Sequence, residues 1–194
     1  NQAPFAVASS NVYFGQSPLT VNFSGNNSYD PDNGTLSYLW DFGDGQNSSL
    51  INPQHIYNQS GTFNVKIIVS DGELTSIDTL KIYAGNTPPN LNILSPANNS
   101  VFTDGEIINF SGIANDSEDV NISAGNVNWR LIVHHHEHTH IFLDNYHALS
   151  GTIIADYNGT DVFYELEFSA TDSQGLNTKK SIYFNVNPQP SNSV

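Results

Sequence analysis

The sequence predicts an all-β protein folded as two consecutive β-sandwiches, and three observations carry that prediction. Val, Ile, Phe and Tyr dominate the 38% of residues that are hydrophobic, while Lys and Arg together number five and Met is absent. Asn, Ser, Thr, Asp and Gly abound, a balance that favours strands and turns over helices. Alternating apolar segments recur between turn signals at about 8- to 12-residue spacing, the pattern of a sandwich. Finally, Gly85-Asn86-Thr87-Pro88-Pro89 interrupts the chain, because two prolines cannot join a central ladder and stiffen a short linker. The 194 residues suffice for two small domains. They divide into 1–85, a linker at 86–90, a second sandwich at 91–187 and a tail at 188–194.

In the first half, Leu19, Val21 and Phe23 alternate directly after Pro18, and Asn26 to Gly34 is a polar turn. Leu36, Tyr38, Trp40 and Phe42 share one face of the next segment, which Gly43-Asp44-Gly45 breaks. Phe63, Val65, Ile67 and Val69 form the apolar face of a strand, Asp71-Gly72 a hairpin turn, and Ser76 to Tyr83 the returning strand.

These residues carry a resemblance. Pro4-Phe5-Ala6, Ser28-Tyr29-Asp30-Pro31-Asp32, Tyr38-Leu39-Trp40-Asp41-Phe42-Gly43-Asp44-Gly45, Asn52-Pro53-Gln54-His55-Ile56-Tyr57 and Gly61-Thr62-Phe63 stand in the order of a PKD domain. Residues 3–84 therefore resemble that family, which implies an immunoglobulin-like β-sandwich used as a spacer or adhesive module on secreted and cell-surface proteins. The fold class is then two tandem immunoglobulin-like β-sandwich domains. Physically, Trp40 and Phe42 point inward, the glycines permit a tight backbone, and Asp41 and Asp44 tie turn amides. His55 is expected to pack or hydrogen-bond within the sandwich. Some PKD-like domains bind calcium, so the resemblance offers Asp30, Asp32 and Asn33 as oxygen ligands. An Asx-rich turn that satisfies its own backbone is the alternative.

The second half repeats the logic. Leu91 to Leu94 is a first strand, Ser95 to Ser100 a turn, and Glu106 to Gly112 a strand with Ile108 and Phe110 inward. Val127 to Leu143 is a strand or hairpin; Gly151 to Ala155, Val162 to Ala170 and Ser181 to Val186 complete the sandwich. Asn115-Asp116-Ser117-Glu118-Asp119 is an acidic turn, in which Asp116, Glu118 and Asp119 are a second calcium candidate. Ser95-Pro96-Ala97, Trp129-x-Leu131-x-Val133-His134-His135-x-x-His138-x-His140 and Tyr164 to Leu176 are similar to an Ig-like module. That module accompanies PKD domains in secreted multidomain proteins, often beside sugar-dehydrogenase propellers.

The feature that asks for a chemical explanation is the histidine run. Five of the seven histidines, His134, His135, His136, His138 and His140, fall between β-type segments in mid-chain. Imidazole is a ligand for zinc, copper and nickel, and without cysteine zinc is the first choice, with copper or nickel next. On a continuous strand His134, His136, His138 and His140 would form a ladder with steps of ~6.6 to 7 Å. A bulge or turn near His136-Glu137 would instead bring His135 to the side of His138 and His140. The spacing shared with the Ig-like module implies that arrangement, so the ligands rank His135, His138, His140, His134, His136. After Gly151 to Ala155, where the Ig-like module leads one to expect a further histidine, this chain has Asp156-Tyr157, so Asp156, or His147 from before that strand, is the substitute ligand. Glu137 is a ligand, an orienting partner or a general base.

His136-Glu137-His138-Thr139-His140 spells the His-Glu-x-x-His of zinc metalloproteases, but that motif works on a helix. On a strand its histidines stand roughly 13 Å apart, and the flanks here are β-type. Three functions follow: a non-catalytic surface module that spaces, adheres or binds a protein or glycan; a zinc hydrolase or hydratase using a metal-bound water; and a metal-scavenging surface protein. The first is favoured, because no nucleophile motif or Gly-rich phosphate loop supports an enzyme.

A formal charge of −14, from 19 acids against five bases, disfavours nucleic acid and anionic lipid surfaces. No run approaches the ~18 apolar residues of a membrane-spanning segment. Acceptors for N-glycosylation begin at Asn22, Asn26, Asn33, Asn47, Asn58, Asn98, Asn109, Asn115, Asn121 and Asn158. Their density points to an extracellular or cell-surface glycoprotein, and the terminal sequences read as those of a fragment of a longer protein; without cysteine, no disulfide staples the fold.

Overall fold

The computed structural model describes residues 1–120 and 122–190; the acceptor at Asn121 and the tail beyond residue 190 lie outside the described residues. The chain forms two compact units, Asn1–Thr87 and Pro88–Val194. Both are β-sandwiches, and among the described residues the helical structure is one 3-10 turn, Ala124–Asn126. None of the described helices is long and apolar enough to cross a membrane.

The first unit comprises β1 (Ser9–Ser10), β2 (Phe14–Gly15), β3 (Leu19–Ser24), β4 (Ser37–Asp41), β5 (Asn47–Ser48), β6 (Gln54–Tyr57), β7 (Gly61–Ser70) and β8 (Thr75–Ala84). Its sheets run β1-β3-β6 and β2-β8-β7-β4-β5. Period-two alternation decides which residues face inward: Val21 and Phe23 from one sheet meet Trp40, Val65, Ile67 and Val69 from the other, all buried. The Asp71-Gly72 hairpin forms as expected, with Asp71 Oδ1 accepting the Glu73 and Leu74 amides at 2.7 Å each. Gly43 follows the inward Phe42 at φ 79°, and a Cβ there would lie 2.7 Å from the Asn64 carbonyl oxygen, so the turn demands glycine. Asn86, expected in the linker, belongs to this unit: it bridges Gly15 and is buried.

The second unit comprises β9 (Asn90–Ser95), β10 (Ser100–Thr103), β11 (Ile107–Asn115), β12 (Val127–His134), β13 (Thr139–Tyr146), β14 (Ser150–Ile154), β15 (Phe163–Thr171) and β16 (Asn177–Asn187). Its sheets run β10-β16-β15-β12-β13 and β14-β11-β9. Trp129, Leu131 and Val133 point into the core with Leu166, Phe168 and Phe110, as the alternation predicts. Trp129 stacks on Phe168 at 4.3 Å and donates its indole N–H to the Ala148 carbonyl. On the opposite face, Asp144, Arg130, Glu167 and Lys179 form a chain of ion pairs across four adjacent strands. Lys66, Lys81, Arg130, Lys179 and Lys180, the whole basic complement of the chain, all lie within paired strands.

Candidate metal centre

The histidine run is divided by a turn. β12 ends at His134 and β13 begins at Thr139, and the His135 amide donates to the His138 carbonyl at 2.8 Å across His136 and Glu137. The continuous ladder of His134, His136, His138 and His140 therefore does not form. The reason is the reversal itself: alternation stops at the turn, so residues of odd and even number gather on one side. His140 now pairs with Val133, and His134 with Thr139.

The turn brings His135, His138 and His140 together, with one ring nitrogen from each lying within 4.8 Å of the others. Rings of His135 and His138 stack at 4.9 Å, and His140 meets both edge-on. His135 is half-buried while His138 and His140 are exposed. Partial burial, reinforced by His138 and His140 beside it, holds the His135 imidazole below the usual histidine range. A neutral imidazole is the ligating form.

The other sequence candidates go elsewhere. His134 is engaged by Glu165 at 2.8 Å and stacks on Phe163 at 4.4 Å. His147 faces the Val127 carbonyl through Nδ1 at 2.6 Å, at the far end of the hairpin. His136 and Glu137 are exposed at the turn, and Asp156, also exposed, is outside the three-histidine group. The His-Glu-x-x-His letters span a turn and a strand, not a helix. Sequence reasoning did not find the His134–Glu165 pair, because its partners are far apart in the chain and only the β12–β15 register joins them.

Both acidic turns satisfy their own backbones. Asp30 Oδ1 accepts the Asp32 amide at 2.6 Å, Asn33 sits at φ 59°, and the Gln2 amide donates to Asp32 at 2.5 Å. Asp30 is buried, and among the described residues its Oδ2 has no hydrogen-bond partner. Asp116 Oδ1 accepts the Glu118 and Asp119 amides at 2.8 and 2.9 Å. Glu118 accepts from Ser117, and Asp119 holds Ser173 through both amide and hydroxyl.

In the first unit the Trp-Asp-Phe-Gly-Asp-Gly stretch closes around one histidine. Asp41 accepts the Gly43 amide and Asp44 the Gln46 amide, each at 3.0 Å. His55, buried, stacks on Phe42 at 4.1 Å and contacts Asp44 Oδ2 at 2.7 Å. Residues 1–82 match the family model described as the PKD domain. The first unit is a PKD domain. Over 71 residues this chain is 41% identical to collagenase ColQ1 of Bacillus cereus (strain Q1), an alignment covering 37% of the chain and 7% of that protein. Over 73 residues it is 41% identical to a microbial collagenase of Vibrio alginolyticus, covering 38% and 9%. The solved PKD1 domain from Vibrio cholerae metalloprotease PrtV is 33% identical, with a TM-score of 0.38 over 43% of this chain and 98% of that one. The chain spans less than a tenth of the length of these two collagenases, and both alignments are short enough to fit within one module.

Proposed function

We propose that this chain is a pair of non-catalytic modules from a secreted or cell-surface protein. In this reading the PKD unit acts as a spacer or adhesive element, and the second, Ig-like unit carries a zinc site made by His135, His138 and His140. The relatives' names, collagenases and a metalloprotease, support an extracellular setting in which such modules accompany a catalytic domain. The observation that carries the metal reading is the convergence of three imidazole nitrogens within 4.8 Å at a hairpin tip. The donor set fits. Tetrahedral zinc holds its nitrogens about 3.4 Å apart, so the three nitrogens, now within 4.8 Å of one another, have only a short distance to close, and His138 and His140, both exposed, have the freedom to do so. Copper and nickel suit the same donors.

Three imidazoles leave one tetrahedral position for another ligand, and this favours a second reading, a zinc hydrolase or hydratase using bound water. Metal analysis of untagged protein after dialysis against zinc tests the site. One zinc per chain is expected, lost in His135→Ala, His138→Ala or His140→Ala and kept in His136→Ala. Substoichiometric metal overturns the site. Ester, peptide and CO2-hydration assays on the loaded protein then decide between the two readings, and zinc-dependent turnover would overturn the non-catalytic one.

A further inference from the structure

The second unit leaves both of its sheets open on one flank. β13 is the edge of the five-stranded sheet and β14 the edge of the three-stranded one. Only residues 147–149 separate these strands, and a Cβ on Gly151 would lie 2.7 Å from the Tyr146 hydroxyl. Between the two edges lies a groove of about 500 Å³ with Phe142, Leu143, Ile153, Ile154 and Ala155 on its walls. Phe142 is 59% exposed and Ile154 66%, and Ile107, the ladder partner of Ile154, is 63% exposed.

Sheet proteins guard free edges with lysine, proline, inward charges or bulges. Here Thr139 to Leu143 carries neither lysine nor proline, and Ser150 to Ile154 carries no charge at all. The β12–β13 ladder carries two irregularities, one between the Trp129–Tyr146 and Leu131–Leu143 pairs and one at Phe142. Ile132 pairs with Ile141 and Leu131 with Leu143, so Phe142 is the extra residue of a bulge. Bulges re-aim a side chain, and this ring is among those lining the groove.

We propose that this flank docks an extended polypeptide segment of another protein, added as a strand to β13, with apolar side chains alternating with basic ones. Main-chain pairing to a free edge gives such a complex its affinity, and pockets for alternate side chains give its selectivity. The groove supplies the apolar pocket. Charge complementarity supplies the basic requirement: the chain carries a formal charge of −14, Asp104 and Asp156 stand on the groove wall and no basic residue lines it, so the field over this flank favours basic side chains at the positions of the added strand that face solvent. A second copy of the chain would bring its own charge of −14 to this acidic flank, which disfavours self-pairing.

The test uses the full chain with chelator present, so that its outcome is independent of any metal at His135, His138 and His140. An end-capped, fluorescently labelled peptide of about ten residues alternating Lys and Val, with one Phe, is titrated by anisotropy. Two further peptides replace Lys by Glu, or Val and Phe by Ser. Binding of the first peptide is expected to exceed both controls by at least about tenfold. Phe142→Ser is expected to weaken it by about tenfold; Phe142 is exposed, and an unchanged melting curve will verify that the variant folds. Amide shifts at residues 139–143 are expected on binding. Equal affinity for the Lys-Ser peptide overturns the apolar requirement, and unchanged affinity in Phe142→Ser overturns the site. A dimer at sedimentation equilibrium that Phe142→Ser dissociates overturns the proposed occupant in favour of a second copy.

Discussion

Tyr57 donates its phenolic hydroxyl to the Phe42 carbonyl oxygen at 2.9 Å, and both side chains are buried. The bond ties β6 to the middle of the Trp-Asp-Phe-Gly-Asp-Gly stretch. Removing it by Tyr57→Phe leaves a buried carbonyl without this donor and is expected to cost about 1 kcal/mol or somewhat more in urea unfolding.

The same bond predicts an alkaline limit. Burial, with Asp44 and Asp41 nearby, pushes the Tyr57 hydroxyl well above the ordinary tyrosine range. In the unfolded chain it ionises near about 10. Its contribution is therefore intact below that value and declines as pH climbs toward the folded value. Absorbance titration near 295 nm should show one tyrosine fewer ionising in Tyr57→Phe only after the native protein unfolds. A normal, early titration of Tyr57 would contradict the burial argument.

Acid acts with the opposite sign. The Gly43 amide first, and then the Lys66 side chain, hold Asp41 below the ordinary carboxylate range. Asp71 is held down by the Leu74 and Glu73 amides. A depressed carboxylate stabilises the fold above its unfolded pKa, and that stability fades as pH falls through the folded value. Melting temperatures of Asp41→Asn between about pH 5 and 2 should fall less steeply than those of the parent. Parallel curves would remove Asp41 from the account.

Zinc should be lost on acidification, because protons and metal compete for the same imidazole nitrogens. Zinc release followed by a chromophoric chelator should therefore begin below the ordinary histidine pKa of about 6.5 and move to lower pH as free zinc is raised. Zinc retention that is unchanged between about pH 7 and 4 would remove the imidazoles from the site.

Gly151 tests the packing of the second core. A Cβ there would lie 2.4 Å from the Phe110 ring and 2.7 Å from the Tyr146 hydroxyl. Gly151→Ala is expected to cost about 1–3 kcal/mol. Gly125→Ala, whose nearest neighbour would be the Ser123 hydroxyl at 3.9 Å, should change stability by less than about 0.5 kcal/mol. Equal effects would mean that Phe110 and Tyr146 yield freely.

Long, alternating strands were legible in the sequence because each states its inward face residue by residue: Trp40 with Ile67, or Trp129 with Phe168, need only period two. The short strands β1, β2, β5, β6 and β10 were not. β10, for instance, pairs in parallel with β16 through four residues, too few to show a period, and its partner is fixed by tertiary geometry. At the histidine run the turn decides which rings meet. Sequence could rank His135, His138 and His140 together, but the competing straight strand is excluded only by the His135–His138 backbone bond. The groove between β13 and β14 was invisible for the same reason: it is made by two edges, and an edge is a property of the assembled sheet.

The placement of Lys66, Lys81, Arg130, Lys179 and Lys180 within paired strands has a consequence for proteolysis. A trypsin-like enzyme needs an extended, detached segment around a basic residue, and here each such bond is locked in a ladder. None of the described loops offers a cleavage point of that specificity. Tryptic digestion of this chain therefore waits on strand release, and its rate reads out the population of the opened state.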